Sequence, residues 1–361
     1  MSTQKNVFLV GPGFIGSTLL VHLKEARPDL HLSALTRREE QAVELEALGI
    51  APVRGSLDDA VLIQQHAAQA DIVFHTATAD HLGSAMAIVE GIKSRPDKKR
   101  KVVYIHTSGN DELASSAQAL AGRPIAERTL SDAQGDGALE DGRILPDAYH
   151  RQVDGPLRQT LFNDEEEEKS NASTTIMMPS LIYGVGSAPW RRISIQVPMM
   201  TEAMIKKGLA TIPSDVEAKW NGVWVHDLAR AYLLLLQQLE HHTPGTPLPS
   251  HYCFPAEPTP FRWKAIFDAI AAEIKKHTHT TAPPHVLADH ASLEAFLDGE
   301  RDNAYAPIYA QIVFGNDNSY TRPDRLTQLG FQHEGTGVLE SIVHGQEIDE
   351  FIQRQVRNTQ K

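Results

Sequence analysis

The segment from residue 7 to residue 16 constrains this chain more than any other. Val7, Phe8, Leu9 and Val10 form an apolar run that leads directly into Gly11-Pro12-Gly13-Phe14-Ile15-Gly16. Ile15, Leu19, Leu20 and Leu23 then fall on one helical face that closes before Pro28. The spacing G-x-G-x-x-G is common by chance, but between a strand and a helix it specifies a functional turn. Glycine lets the backbone turn tightly and approach a pyrophosphate, whose charge meets unpaired N–H groups and the positive end of the helix. Gly11, Gly13, Phe14, Ile15 and Gly16 are therefore the first candidate binding residues.

Beyond this turn, short apolar runs alternate with helix-length amphipathic segments, the pattern of parallel βαβ units. Residues 30–35, 51–54, 72–75, 102–105 and 174–178 read as strands. Helices are expected over 39–48, with Gly49 past the end, and over 83–92. Residues 223–238 read as a strand end running into a strong helix. Residues 115–147, rich in Ala, Gly and Asp, and 163–173, with the acidic run 165–168, read as loops. Six prolines between 244 and 260 mark a connection, followed by helices over 263–276 and 338–356. The expected fold is α/β, a Rossmann-type doubly wound parallel sheet with a smaller C-terminal substrate lobe. Residues 1–180 and about 220–255 are assigned to the sheet domain, and about 181–219 and 256–361 to the lobe.

Charge and composition narrow the partners. The 361 residues carry 34 Lys and Arg against 46 Asp and Glu, a net charge of −12, which opposes nucleic acid as a partner. The single cysteine, Cys253, can form neither an internal disulfide nor a cysteine zinc site, and suits a reducing compartment. No apolar stretch approaches the roughly 20 residues of a membrane helix, and residues 7–10 lead into a glycine turn rather than a cleavage site. The expectation is a cytoplasmic protein with a small-molecule substrate, no membrane partner, and a homodimer as the candidate assembly. The histidines, 17 in all, include His241-His242 and the pair His277 and His279, which lack a carboxylate at ligand spacing, so no metal site is expected.

About twenty residues past the glycine turn, an acidic residue would hold an NAD ribose. This chain has Thr36-Arg37-Arg38 there. Two guanidiniums without a carboxylate suit a 2′-phosphate, so NADP(H) is the expected cofactor. If the two arginines only open the next helix in solvent, NAD is the alternative.

Gly11 to Gly16, Gly55-Ser56-Leu57-Asp58, His75-Thr76-Ala77, Thr107-Ser108, the stretch from Met178-Pro179 to Tyr183-Gly184, and Val225-His226-Asp227 follow one another in an order that resembles the extended short-chain dehydrogenases/reductases, the NAD(P)-dependent epimerase/dehydratase family. Arg325-Leu326 and Leu329-Gly330-Phe331 carry the resemblance towards the end of the chain. It implies that Ser56 and Leu57 line the adenine, with Ser56 where an acidic residue is usual. Thr76 and Ala77 would lie beside the cofactor, and Ser108 would bond the reacting oxygen. Tyr149 is the candidate for the proton-transferring Tyr of Tyr-x-x-x-Lys, but Val153 stands in the lysine position. His150, with Asp154 four residues on, is the substitute acid. Gly155-Pro156 is expected to break that stretch, so that a helix begins at Pro156. Trp190-Arg191-Arg192 lies where the family builds its substrate pocket, and Arg191 or Arg192 is the candidate for holding an acidic substrate. The implied function is an atypical NADP(H)-dependent oxidoreductase or epimerase acting on a carbonyl or alcohol carbon of a small metabolite. The alternative is a non-catalytic NADP(H)-binding sensor or regulatory protein.

Overall fold

The computed structural model describes residues 4–113, 129–140, 144, 148, 150–207, 210–212, 219–278, 285–287 and 319–359. Seven strands form the main sheet: β1 (Lys5–Val10), β2 (Leu30–Thr36), β3 (Ala51–Arg54), β4 (Ile72–His75), β5 (Val102–Thr107), β6 (Ala172–Met177) and β7 (Tyr252–Cys253). They lie in the order β7-β6-β5-β4-β1-β2-β3, every neighbouring pair parallel. From β1 the chain moves outward to β2 and β3, then returns to β4 and proceeds the other way. The connections therefore diverge between β1 and β4, and a crevice opens at the carboxyl ends of these strands.

Helices α1 (Phe14–Ala26), α2 (Glu39–Ala47), α3 (Ala60–Gln69), α4 (Leu82–Lys93), α5 (Arg151–Thr160) and α6 (Val225–His241) cover both faces of the sheet. Successive side chains of a strand point to opposite faces. Phe8 and Val10 pack with Ile63 of α3, Ile88 and Ile92 of α4, and Val153 and Leu157 of α5. Val7 and Leu9 pack instead with Leu19 and Leu23 of α1 and Leu228, Leu235 and Leu239 of α6. Burial on both faces is why the strands read as continuous apolar runs rather than as alternating ones.

A third core gathers Leu181, Met200, Trp220, Trp263, Ile266, Ile270, Val338 and Ile342 around the helix Trp263–Thr278. One segment assigned to the lobe packs elsewhere. Leu326 and Phe331 join the core on the α1 and α6 face, and Arg325, fully buried, donates from Nη1 to Ser250 O at 2.7 Å and from its backbone N–H to Asp132 Oδ1 at 2.8 Å. Among the described residues no helix is long and apolar enough to cross a membrane.

Several local expectations are corrected. Within 115–147 the described residues form a strand over Thr129–Ser131 and a helix over Asp136–Glu140 rather than loop throughout. Residues 163–173 are not a loop: a helix spans Asp164–Ser170, and β6 begins at Ala172. Asn163 caps that helix, its side chain accepting from Glu166 N–H at 3.0 Å, and four acidic residues in the first turn suit the positive helix end. Glu167 is buried, and Oε1 accepts from Thr174 N–H and Oγ1, so tertiary contact anchors a segment whose composition suggests only solvent. α5 starts at Arg151 with Pro156 inside it, not at Pro156, because Val153 and Leu157 dock its apolar face into the core. Residues 338–356 hold two helices, Val338–His344 and Glu347–Thr359, where Gly345 turns back to donate to Ser341 O.

Asn163→Ala should lower stability by about 1 kcal/mol, the usual value of a lost cap, seen as a lower urea midpoint with an unchanged slope. An unchanged midpoint would show that the Glu167 anchor alone holds this helix.

Candidate active site

The crevice between β1 and β4 is a cleft of about 740 Å³. Its centre is the turn after β1. Gly11 has φ +93°, the left-handed region that favours glycine, and a Cβ there would collide with the backbone of Ala77. A Cβ on Gly16 would collide with Thr76 Oγ1 and Gly11 O. The turn is thus pressed against the end of β4, with Thr76 donating from N–H to Val10 O and from Oγ1 to Gly11 O, both at 2.8 Å. Gly13 caps α1 without a side chain, the first turn holds no acidic residue, and a Cβ on Gly13 would meet nothing within 4 Å. Open space in front of unpaired helix N–H groups fits a pyrophosphate. Gly11, Gly13, Phe14 and Ile15 line the cleft, whereas Gly16 serves the close packing behind it.

On the β2 side, Thr36, Arg37 and Arg38 line the cleft with Ser56 and Leu57. Both arginines are exposed. Thr36 Oγ1 donates to Gln41 Oε1 at 2.7 Å, and Gln41 Nε2 donates to Pro12 O at 2.7 Å, which ties the end of β2 to the glycine turn. Trp190 Nε1 donates to the same Pro12 O at 2.8 Å, so the segment after β6 reaches across the cleft. Arg191 lines the cleft, while Arg192 lies 3.6 Å from Glu350.

On the β5 side the cleft is lined by Thr76, Ala77, Asp80, Ser108, Gly109, Asp111 and His150. Ser108 directly follows β5; its Oγ is buried and lies beside the Asp154 carboxylate. Tyr149 lies outside the described residues. His150 has φ 63°, an unusual backbone for a residue with a Cβ, and its side chain is 10% exposed. Nδ1 is 2.8 Å from Asp80 Oδ1, and Nε2 is 3.6 Å from Asp111 Oδ2. A Cβ on Gly109 would stand 3.1 Å from Nε2, so glycine there gives the ring its room. Burial opposes charge on this imidazole, but Asp111 and Asp80 outweigh burial and hold its pKa well above the ordinary histidine range.

His150 and Asp154 are not partners. Asp154 faces the buried His106 instead, at 3.4 Å. Burial alone would push its carboxyl up, yet His106 keeps it below the ordinary range. Val153 is buried in the core, so no side chain at that position replaces the lysine. The nearest cationic candidate in the chain is His150, which immediately precedes the same helix. Asp80, Asp111 and Gly109 were missed in the sequence. Their signal is position: Asp80 follows the end of β4 and the other two follow β5, where parallel sheets place their ligands.

No family model matches the chain. A curated relative, Oxidase ucsJ from Acremonium sp, is 25% identical over 238 residues, 64% of this chain and 66% of that protein. The chain thus spans about two thirds of that relative's length. Three solved structures share the fold over nearly the whole chain. UDP-glucose 4-epimerase of Thermotoga maritima, with UDP-glucose, has TM-score 0.62 and 13% identity, covering 97% of this chain and 99% of that one. dTDP-glucose 4,6-dehydratase of Bacillus anthracis, with NAD, has TM-score 0.62 and 12% identity, covering 96% and 97%. UDP-glucuronic acid 4-epimerase of Bacillus cereus, with UDP-glucuronic acid and NAD, has TM-score 0.62 and 13% identity, covering 97% and 99%. The fold is that of NAD-dependent epimerases and dehydratases, in keeping with the motif order in the sequence.

Gly13→Val should leave the fold intact, because a Cβ there enters open space, and should abolish dinucleotide binding by filling the space before α1. Fluorescence titration with NADPH, beside a circular dichroism melt, checks this. Unchanged affinity would remove the pyrophosphate from this turn.

Proposed function

We propose that the chain is an NADP(H)-dependent oxidoreductase or epimerase working on a carbonyl or alcohol carbon of a small metabolite, with His150 as its acid. The observation that carries this reading is the seat of His150 between Asp80 and Asp111, in the same cleft as the pyrophosphate turn and Ser108. The dinucleotide, when bound, supplies the hydride.

The residues of this chain do the rest. Arg37 and Arg38, exposed just past the end of β2, can fork onto a 2′-phosphate, and no acidic residue stands at positions 36–38. Ser108 Oγ, buried at the cleft beside the Asp154 carboxylate, supplies a hydrogen bond to the reacting oxygen. His150 keeps Nδ1 on Asp80, which fixes the ring, and holds the proton that is delivered to that oxygen at Nε2. The two carboxylates stabilise the imidazolium before transfer, the opposite of a lysine beside a tyrosine, which lowers the pKa of the acid it assists. Arg191 is the group placed to hold an anionic part of the substrate. An acid that stays protonated favours reduction of a carbonyl over oxidation of an alcohol.

His150→Asn is the informative variant, since Asn tolerates the left-handed backbone but cannot carry the proton. Wild type should bind NADPH more tightly than NADH. With an NADPH-reduced carbonyl substrate found by panel, His150→Asn should lose about a hundredfold or more in turnover while keeping NADPH affinity. Because the folded pKa is raised, wild-type reduction should hold steady through pH 6.5 and fall only at higher pH, as the imidazolium is lost. A fall centred at 6.5 would contradict the role of the carboxylates. Tight NADPH binding with no turnover across the panel would favour the sensor instead.

A further inference from the structure

Outside the cleft, His251 directly precedes β7, and Asp164 and Glu167 stand one helical turn apart on the helix before β6. One ligand atom from each of the three lies within 4.8 Å of the others. His251 is 4% exposed and firmly oriented: Nδ1 is 2.6 Å from Asp136 Oδ2, and its backbone N–H donates to Asp136 Oδ1 at 2.7 Å. Nε2, on the far side of the ring, has no hydrogen-bond partner and faces Glu167 Oε1 at 3.6 Å and Asp164 Oδ1 at 3.8 Å. Glu167 is fully buried, and although Oε1 accepts from Thr174, Oε2 has no partner. His251 Nε2 and Asp164 Oδ1 are thus buried atoms without a hydrogen-bond partner that face each other, with Glu167 Oε1 beside them, an arrangement that is costly unless something sits between them.

We propose that Asp164, Glu167 and His251 bind a divalent transition-metal ion of the zinc class. One imidazole nitrogen and two carboxylate oxygens are a suitable donor set, and a tetrahedral ion with bonds of about 2.0–2.2 Å places its ligand atoms roughly 3.3–3.6 Å apart, close to the 3.6 and 3.8 Å that separate Nε2 from the two carboxylates. Asp136 supplies what such histidines need behind them, a carboxylate on the other ring nitrogen that sets tautomer and orientation. Arg158 Nη2, 2.7 Å from Asp136 Oδ2, holds that carboxylate in turn. None of the three ligands lines the cofactor cleft. The ion ties the helix Asp164–Ser170 to the edge strand β7 and to the Asp136 segment, so its role is to join three stretches far apart in sequence, with the fourth position open to water. His241 and His242 are not among these ligands, and His279 and the side chain of His277 lie outside the described part of the chain; His251 was invisible in the sequence because its two acidic partners come from a distant helix.

The test strips the full chain with a chelator, passes it through gel filtration, and titrates it with zinc chloride while following bound metal and Tm. Wild type should retain one equivalent, and its Tm should rise with zinc concentration. Asp164→Asn, whose side chain is 45% exposed and therefore tolerant of change, should bind zinc at least tenfold more weakly, as should His251→Gln. Asp164→Asn decides the matter if His251→Gln fails to fold. The proposal is overturned if wild type retains no zinc, or if Asp164→Asn holds its equivalent as tightly as wild type, which would place the metal on other histidines.

Discussion

The turn after β1 passes so close to the end of β4 that a methyl group on Gly11 or Gly16 has nowhere to go. Thr76 closes the contact by bonding both Val10 and Gly11. This approach sets the start of α1 directly over the divergence of the sheet connections, and the cleft follows from it. Side chains at these glycines would lift the helix off the strand and separate the open N–H groups of α1 from the ends of β4 and β5 that line the cleft. Gln41 and Trp190 then converge on the carbonyl of Pro12, so the same turn also fixes where β2 and the segment after β6 meet it.

At the other end of the cleft the problem is electrostatic. A proton-transfer site in a Tyr-x-x-x-Lys pattern relies on a nearby cation, and Val153 removes it at the expected position. The proposed acid, His150, is an alternative of different design. A buried imidazole would ordinarily be neutral, because desolvation disfavours its charge; two carboxylates from the ends of neighbouring strands reverse that balance. The arrangement also couples the site to stability. A histidine with a raised folded pKa contributes stability that is fully present below the unfolded value near 6.5 and is lost as pH rises through the folded value.

The fold was readable in the sequence where local pattern and tertiary role agree. The glycine turn is contiguous, and strands buried on both faces read as unbroken apolar runs. Legibility ended where long-range contacts decide. The helix Asp164–Ser170 has the composition of a solvated loop, and it holds because Asn163 caps it and Glu167 docks on Thr174. α5 runs through Pro156 because core packing of Val153 and Leu157 outweighs the proline's local cost. His150 was visible as a candidate, but spacing suggested Asp154 as its partner. Its actual partners, Asp80 and Asp111, share no periodicity with it and meet it only when β4 and β5 lie side by side.

The central claim is that a charged imidazole occupies the cleft, and an NMR titration of the His150 ring in the intact chain, assigned by the loss of its signals in His150→Asn, measures that charge directly. The account predicts that the ring stays protonated through neutral pH and titrates well above 6.5. A midpoint at or below 6.5 would contradict it, since the two carboxylates would then fail to outweigh burial.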